Sequence, residues 1–245
     1  MLAISQDNRV LHLALNRPEK RNALNLALCR DLVNALEKAD TDPSVGAILL
    51  TGNGKAFCAG MDLAEAIQPD RSELDEVHEK LFTAGYRLRK PIVAAVHGPA
   101  LAGGTGLAAN AHVLIASEDA WFGLTEVKIG LWPILIYRAV EAAMGPRRTM
   151  ELALTGRWFT GLDAWYYGLV HEVSKNPLMR AELIAKQVSE LSPNAIGAGL
   201  QYVNRTRDKS WDEAGRIGRE IRSVLMASQD FKERVGHALA NLGKP

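Results

Sequence analysis

The chain has 245 residues, with 29 Lys and Arg against 28 Asp and Glu, for a formal net charge of +1. Its 47% hydrophobic and 23% charged fractions exclude a disordered or fibrous chain, and the near balance of charge argues against a nucleic-acid binder, which is usually a basic domain. A chain of this length forms one large domain, or one domain with a small appendage, and buries about three quarters of the surface it exposes when unfolded.

Leu2 to Ser5 and Val10 to Leu15 read as short strands joined at Asp7-Asn8, a hairpin. Asn25 is an N-cap for a helix with Leu28, Leu32, Val33 and Leu36 on one face, and Asp42-Pro43 stops it. Val45 to Leu50 is a continuous apolar run bounded by Gly52, the pattern of a strand covered on both faces. Ser72 with Asp75 resembles a capping box opening a helix that carries Leu74, Val77, Leu81 and Leu88. Ile92 to Val96 and Val113 to Ala116 are two more buried strands. From about Gly145, amphipathic segments start at Pro146, Asp163, Pro177, Pro193 and Ser210, with a short Leu169 to Val173 strand among them. The pattern is α/β to about residue 190 and all-helical from 191 to 245.

Cys29 and Cys58 are too sparse for a disulfide scaffold, so reduced thiols in a cytoplasmic protein are expected. Cys58, without a CxxC partner, reads as a small buried hydrophobe. The N-terminus lacks the order of a signal peptide. Pro91 to Ser117 has no Asp, Glu, Lys or Arg, but its glycines, prolines, His97, Asn110 and His112 interrupt it too often for a spanning helix. No membrane association is expected. The six histidines show no metal-ligand spacing; His97 and His112, beside apolar runs, read as satisfied core residues.

Three segments can carry chemistry. The first, Gly52 to Leu63, follows a strand; Gly54-Lys55-Ala56 lacks the hydroxyl residue of a phosphate-binding P-loop. It is either a plain turn or, at Ala59-Gly60 before a helix near Asp62, a place where unpaired backbone N–H groups meet an anion or carbonyl oxygen. The second, His97 to Leu107, carries Gly103, Gly104 and Gly106. It fits the dinucleotide fingerprint poorly, because its glycines do not directly follow the strand, and it too is better read as exposed backbone N–H groups. The third, Phe122 to Pro133, contains Glu126. That residue is either a surface glutamate paired with Lys128 or, if walled by Trp132 and aliphatic neighbours, an acid whose pKa desolvation raises into a useful acid–base range.

Taken together, Asn16 to Asn25, Ala56 to Leu63, Pro91 to Leu107 and Phe122 to Glu126, with Leu154-Thr155-Gly156-Arg157 and Tyr167 to Val170, resemble the crotonase (enoyl-CoA hydratase/isomerase) superfamily over nearly the whole chain. The resemblance implies a spiral of ββα units followed by a helical region that packs subunits into homotrimers or hexamers. It implies an oxyanion hole for an acyl-CoA thioester made by the N–H groups of Met61 and Gly103. No cofactor is implied; coenzyme A, as part of the substrate, would thread between the Arg21–Ala23 loop and the loop Ala59, Gly60, Met61, Asp62, Leu63, Ala64. Its phosphates would meet Lys20 or Arg21, and Gly104 and Trp132 would complete the substrate site.

The sequence departs from the pattern in its acids. Hydratases of the family carry two glutamates; the second matches Glu126, whereas the first falls on Gly106. After Pro133, Ile134-Leu135-Ile136-Tyr137 replaces a glycine-rich turn and makes a bulkier wall; Trp132, Ile134 and Tyr137 read either as an apolar pocket wall or as helix-face packing. One carboxylate suffices for 3-enoyl to 2-enoyl isomerisation, and can protonate Cα in a hydration. The alternative is a non-catalytic acyl-CoA binding protein that has lost the first glutamate.

Overall fold

The computed structural model describes residues 1–241. In chain order its elements are β1 (Leu2–Asp7), β2 (Val10–Leu15), α1 (Leu26–Thr41), β3 (Ala47–Gly52), α2 (Leu63–Ala66), α3 (Ser72–Phe82), α4 (Ala84–Arg87), β4 (Ile92–Val96), β5 (Pro99–Leu101) and α5 (Gly103–Ala109). There follow β6 (Val113–Ala116), β7 (Trp121–Gly123), α6 (Ile134–Met144), α7 (Pro146–Thr155), β8 (Trp158–Thr160), α8 (Gly161–Tyr166), β9 (Glu172–Val173), α9 (Pro177–Ser189), α10 (Pro193–Thr206), α11 (Trp211–Ala227) and α12 (Gln229–Asn241).

The hairpin forms as expected, with Leu2 opposite Leu15 and Asn8 at φ 52° in its turn, a conformation asparagine tolerates better than most residues. It feeds a six-stranded sheet of order β1-β2-β3-β4-β6-β9, parallel beyond the first pair. β3 and β4 are buried throughout, because the two faces of each strand join different cores. Ile48, Leu50, Ala94 and Val96 pack in the main core with α1, whereas Ala47, Leu49, Val93 and Ala95 pack with Ala181 and Ala185 of α9. That is why these runs are apolar without alternation.

A second sheet has the order β5-β7-β8. After β4 and again after β6 the chain leaves the large sheet, adds a three-residue strand to the small one and turns back through helix. This is the ββα spiral. The small strands are too short to impose a period on the sequence, and none of them was expected.

Several boundaries differ from expectation. Ser72 is the first residue of α3 and not its cap; Asp70 Oδ1 accepts from the Ser72 N–H (3.1 Å) and hydroxyl (2.8 Å). Leu88 lies in extended backbone after α4. Asp163 does not begin a helix; it is the third residue of α8, whose cap is Thr160. Of Leu169 to Val173, Glu172 and Val173 alone are strand. The last three helices pack on one another and reach the core through α10 against α4; α11 and α12 bury no residue of their own.

Candidate active site

Two backbone turns are built against each other. Leu24 bridges Met61 in parallel: the Leu24 N–H donates to Gly60 O (2.8 Å) and the Asp62 N–H to Leu24 O (3.0 Å). Alternation along an extended segment then turns the Met61 N–H to the opposite side. On the next segment Cys58 bridges Ala100, and the Leu101 N–H donates to Cys58 O (2.9 Å). Ala102, at φ 50° and ψ −121°, reverses the chain so that α5 begins at Gly103. A first-turn N–H has no acceptor within its own helix. Among the described residues neither the Met61 nor the Gly103 N–H is given to a backbone acceptor.

Glycine at position 60 permits this juxtaposition. Gly60 has φ +95°, and a Cβ there would lie 2.9 Å from Leu101 O and 3.4 Å from Gly103 N. The non-glycine residue held at positive φ beside it, Ala102, stores strain of about 1–3 kcal/mol, which the surrounding hydrogen bonds must hold.

Two residues whose roles were not foreseen hold the loops on the Met61 side of this junction. Asn22 is fully buried, and its amide nitrogen donates to Asn53 O (2.9 Å), Ala56 O (2.9 Å) and Phe57 O (3.1 Å), while its Oδ1 accepts from the Arg17 N–H (2.8 Å). Arg17 reaches Ala23 O (2.6 Å) and Asp62 Oδ2 (3.1 Å). The Ala59 N–H adds a bond to Arg21 O (2.9 Å). The loops 21–24 and 59–62 are therefore zipped edge to edge.

Glu126 opens a 3-10 turn after β7. Its Oε2 is buried without a hydrogen-bond partner, and burial lifts its pKa from the ordinary value of 4.5 to about 7. No ion pair with Lys128 forms among the described residues, which removes the surface-pair reading. Opposite it, Ile134 to Tyr137 are the first turn of α6. A Cβ on Gly106 would stand 2.5 Å from Ile136 Cβ, so hydrocarbon fills the space where the resemblance would place a first glutamate.

These elements enclose a cavity of about 580 Å³ lined by Arg21, Ala23, Ala59, Met61, Asp62, Leu63, Gly103, Glu126 and Trp132, each expected, and by the exposed Lys20. Three expected residues stand off it. Gly60 lies behind Met61, Gly104 is buried against the Cys58 backbone, and Ala64 is exposed in α2, its N–H given to Asp62 Oδ1 (3.2 Å). Ile134 and Ile136 line the wall as expected, but Tyr137 turns back to stack on Trp132 at 6.2 Å and does not. His78 of α3 also lines the cavity and was missed. Its spacing with Leu74, Leu81 and Phe82 on one helix face was the available signal.

Elsewhere, His97 and His112 are satisfied as expected but are only partly buried, not core. His97 Nε2 contacts Gly54 O (2.8 Å), and His112 Nδ1 accepts from the Ile92 N–H (2.9 Å). Cys58 is fully buried, its thiol pKa pushed up to about 12 by desolvation, and so is not a nucleophile. Among the described residues no group of three or more His, Cys, Asp or Glu could hold a metal ion, and no helix is long and apolar enough to cross a membrane.

Residues 5–238 match the family model for enoyl-CoA hydratase/isomerase. The chain is 35% identical over 239 residues to the 2,3-dehydroadipyl-CoA hydratase of Escherichia coli (strain K12), covering 96% of this chain and 93% of that one. It is 33% identical over 248 residues to the peroxisomal Delta(3,5)-Delta(2,4)-dienoyl-CoA isomerase of Arabidopsis thaliana, covering 94% and 89%. The crystal structure of an enoyl-CoA hydratase of Mycobacterium smegmatis superposes with a TM-score of 0.92 at 29% identity, covering 98% of this chain and 96% of that one.

Proposed function

The chain belongs to the enoyl-CoA hydratase/isomerase family, and from that premise we propose that it moves a proton along the acyl group of a CoA thioester with Glu126 as its single acid–base group. The thioester oxygen accepts from the Met61 and Gly103 N–H groups. Ionised Glu126 takes a proton from C2 of a 3-enoyl chain, negative charge passes to that oxygen, and the protonated glutamate returns the proton at C4 to give the 2-enoyl product. Each preorganised donor to the oxyanion contributes about 3 kcal/mol to lowering the barrier. A carboxyl poised near pH 7 is suited to both halves of the transfer. Lys20 and Arg21 take the phosphates of coenzyme A.

The observation that carries this reading is Ile136 at the place of a first carboxylate. Isomerisation needs one acid–base group, and Glu126 supplies it. Hydration at the same site is the second reading, supported by the relatives named as hydratases; Glu126 would protonate Cα while water adds at Cβ. Assaying a 3-enoyl-CoA and a 2-enoyl-CoA side by side separates the two, with turnover of the 3-enoyl substrate the expected result. Inactivity on a broad thioester panel with CoA-ligand binding intact would establish the non-catalytic binder instead.

We further propose that α10 to α12 join copies of this chain as a homotrimer or hexamer. Val224, Met226, Phe231, Val235 and Leu239 stand exposed on α11 and α12, which supports an assembly surface. Light scattering on the full chain checks the mass.

A further inference from the structure

Thr105 takes no part in the proton transfer, yet its side chain sits where two segments of the site join. It is the third residue of α5, next but one after Gly103, and it is fully buried. Its hydroxyl donates to Ala100 O (2.6 Å), lies 3.0 Å from Gly123 O and accepts from the Gly123 N–H (3.1 Å). The Ala102 N–H completes the junction with a bond to the same Gly123 O (2.7 Å). Leu101 opposite Gly123 is the last pair of the β5–β7 ladder. Beyond that pair one chain segment turns into α5 at Gly103, and the other runs on through Leu124 and Thr125 to Glu126.

The Gly103 N–H and the Glu126 carboxyl thus leave this junction on separate segments, and the Thr105 hydroxyl bonds at the root of both. On its other side the first turn of α5 rests on Gly104, which packs against the Cys58 carbonyl and has no room for a side chain. Cys58 leads through Ala59 and Gly60 to Met61. The first turn of α5 is therefore held against the segment that carries the Met61 donor and against the segment that carries the acid. A hydroxyl at position 105 is a specific choice for that place, because valine has the same shape and suits burial. The net stability from one such hydrogen bond is modest. What the hydroxyl adds is direction, since each of its bonds tolerates a narrow range of length and angle.

We propose that Thr105 is a positioning residue whose hydroxyl sets the spacing between the Gly103 N–H and the Glu126 carboxyl. The thioester oxygen is then held at the one while the other reaches the acyl carbons. A misplacement of about 1 Å between such groups costs on the order of a hundredfold in rate. The proposal rests on Gly103 and Glu126 acting together on a CoA thioester.

The test is steady-state kinetics of Thr105→Val, Thr105→Ser and Thr105→Cys on a thioester the wild-type enzyme turns over, with Glu126→Gln beside them. Folded Thr105→Val should lose about ten- to a hundredfold in kcat. Its KM should stay within about threefold, as when an interaction made in the transition state alone is weakened. Thr105→Ser keeps the hydroxyl and should restore most of kcat, whereas Thr105→Cys, close to serine in size but a weak donor, should not. If Thr105→Val does not fold, the serine and cysteine variants decide the matter. Wild-type kcat in folded Thr105→Val, equal kcat in the serine and cysteine variants, or a raised KM with kcat unchanged each overturns the role of Thr105. With Glu126→Gln inactive, those outcomes leave the acyl-CoA reading standing. Wild-type turnover by Glu126→Gln, or a wild-type enzyme inactive on every thioester, overturns that reading and the role of Thr105 with it.

Discussion

Ile136 fills the space beside Gly106, its Cβ 2.5 Å from where a Cβ on residue 106 would be and its Cγ2 nearer still. The missing carboxylate is therefore not a gap in the wall. The first turn of α6 packs directly on Gly106, so the residues at 106 and 136 share one space.

Restoring the carboxylate alone should then fail. Gly106→Glu should destabilise the protein by about 3 kcal/mol, at the upper end of overpacking costs, without adding hydratase activity. Pairing it with Ile136→Ala should recover a substantial part of that stability. Urea unfolding of the two single variants and the double variant measures the coupling; additive losses would show that the two side chains do not compete for the space.

Glu126→Gln removes the acid–base group and keeps its shape. Turnover should fall by 10²- to 10⁴-fold, the usual contribution of a positioned general acid or base, while affinity for a CoA ligand stays within a few fold. Calorimetric titration beside a steady-state assay reads both quantities. Wild-type turnover in this variant would remove Glu126 from the mechanism.

The same carboxyl sets the pH dependence. Its pKa in the folded chain, about 7, lies above the ordinary 4.5. As the base must be ionised, kcat/KM for isomerisation should rise with pH through a midpoint near 7 and then level. Stability runs the other way. A raised carboxyl pKa favours the folded state below pH 4.5, and that contribution is lost as pH rises through 7. Glu126→Gln should flatten this slope and gain about 1–3 kcal/mol at pH 8 relative to wild type. Thermal or urea unfolding across pH 4 to 8 tests the sign.

What the sequence disclosed follows physical range. Amphipathic helices write their period into the chain and strands buried on both faces leave a continuous apolar run, so α1, β4 and β6 were legible, as were the cap at Asn25 and the helix start at Ser210. Three-residue strands such as β5 and β7 carry no period, yet they place Gly103 and Glu126. The backbone donors at Met61 and Gly103 were reached through motif resemblance, since a backbone N–H has no letter of its own. Asn22 was hidden for a different reason. Its partners are the carbonyls of Asn53, Ala56 and Phe57, over thirty residues away, and nothing local distinguishes an asparagine that bonds its own turn from one that ties two loops together.

Asn22 gives a test of whether the oxyanion turn is held from outside the cavity. Asn22→Ala strands three carbonyls and the Arg17 N–H, and it places alanine at φ 56°. A loss of about 2–4 kcal/mol in unfolding free energy is expected from unsatisfied groups and backbone strain together. The loop 21–24 that Asn22 anchors carries the bridge from Leu24 to Met61, so loosening it also disperses the Met61 N–H. Activity in the folded fraction should drop by about tenfold or more, as when an oxyanion donor is weakened. Glu126 lies on another segment, so the pH midpoint near 7 should persist while the plateau falls. A shifted midpoint would mean that Asn22 acts through the carboxyl, and an unchanged plateau would mean that the turn holds its geometry without it.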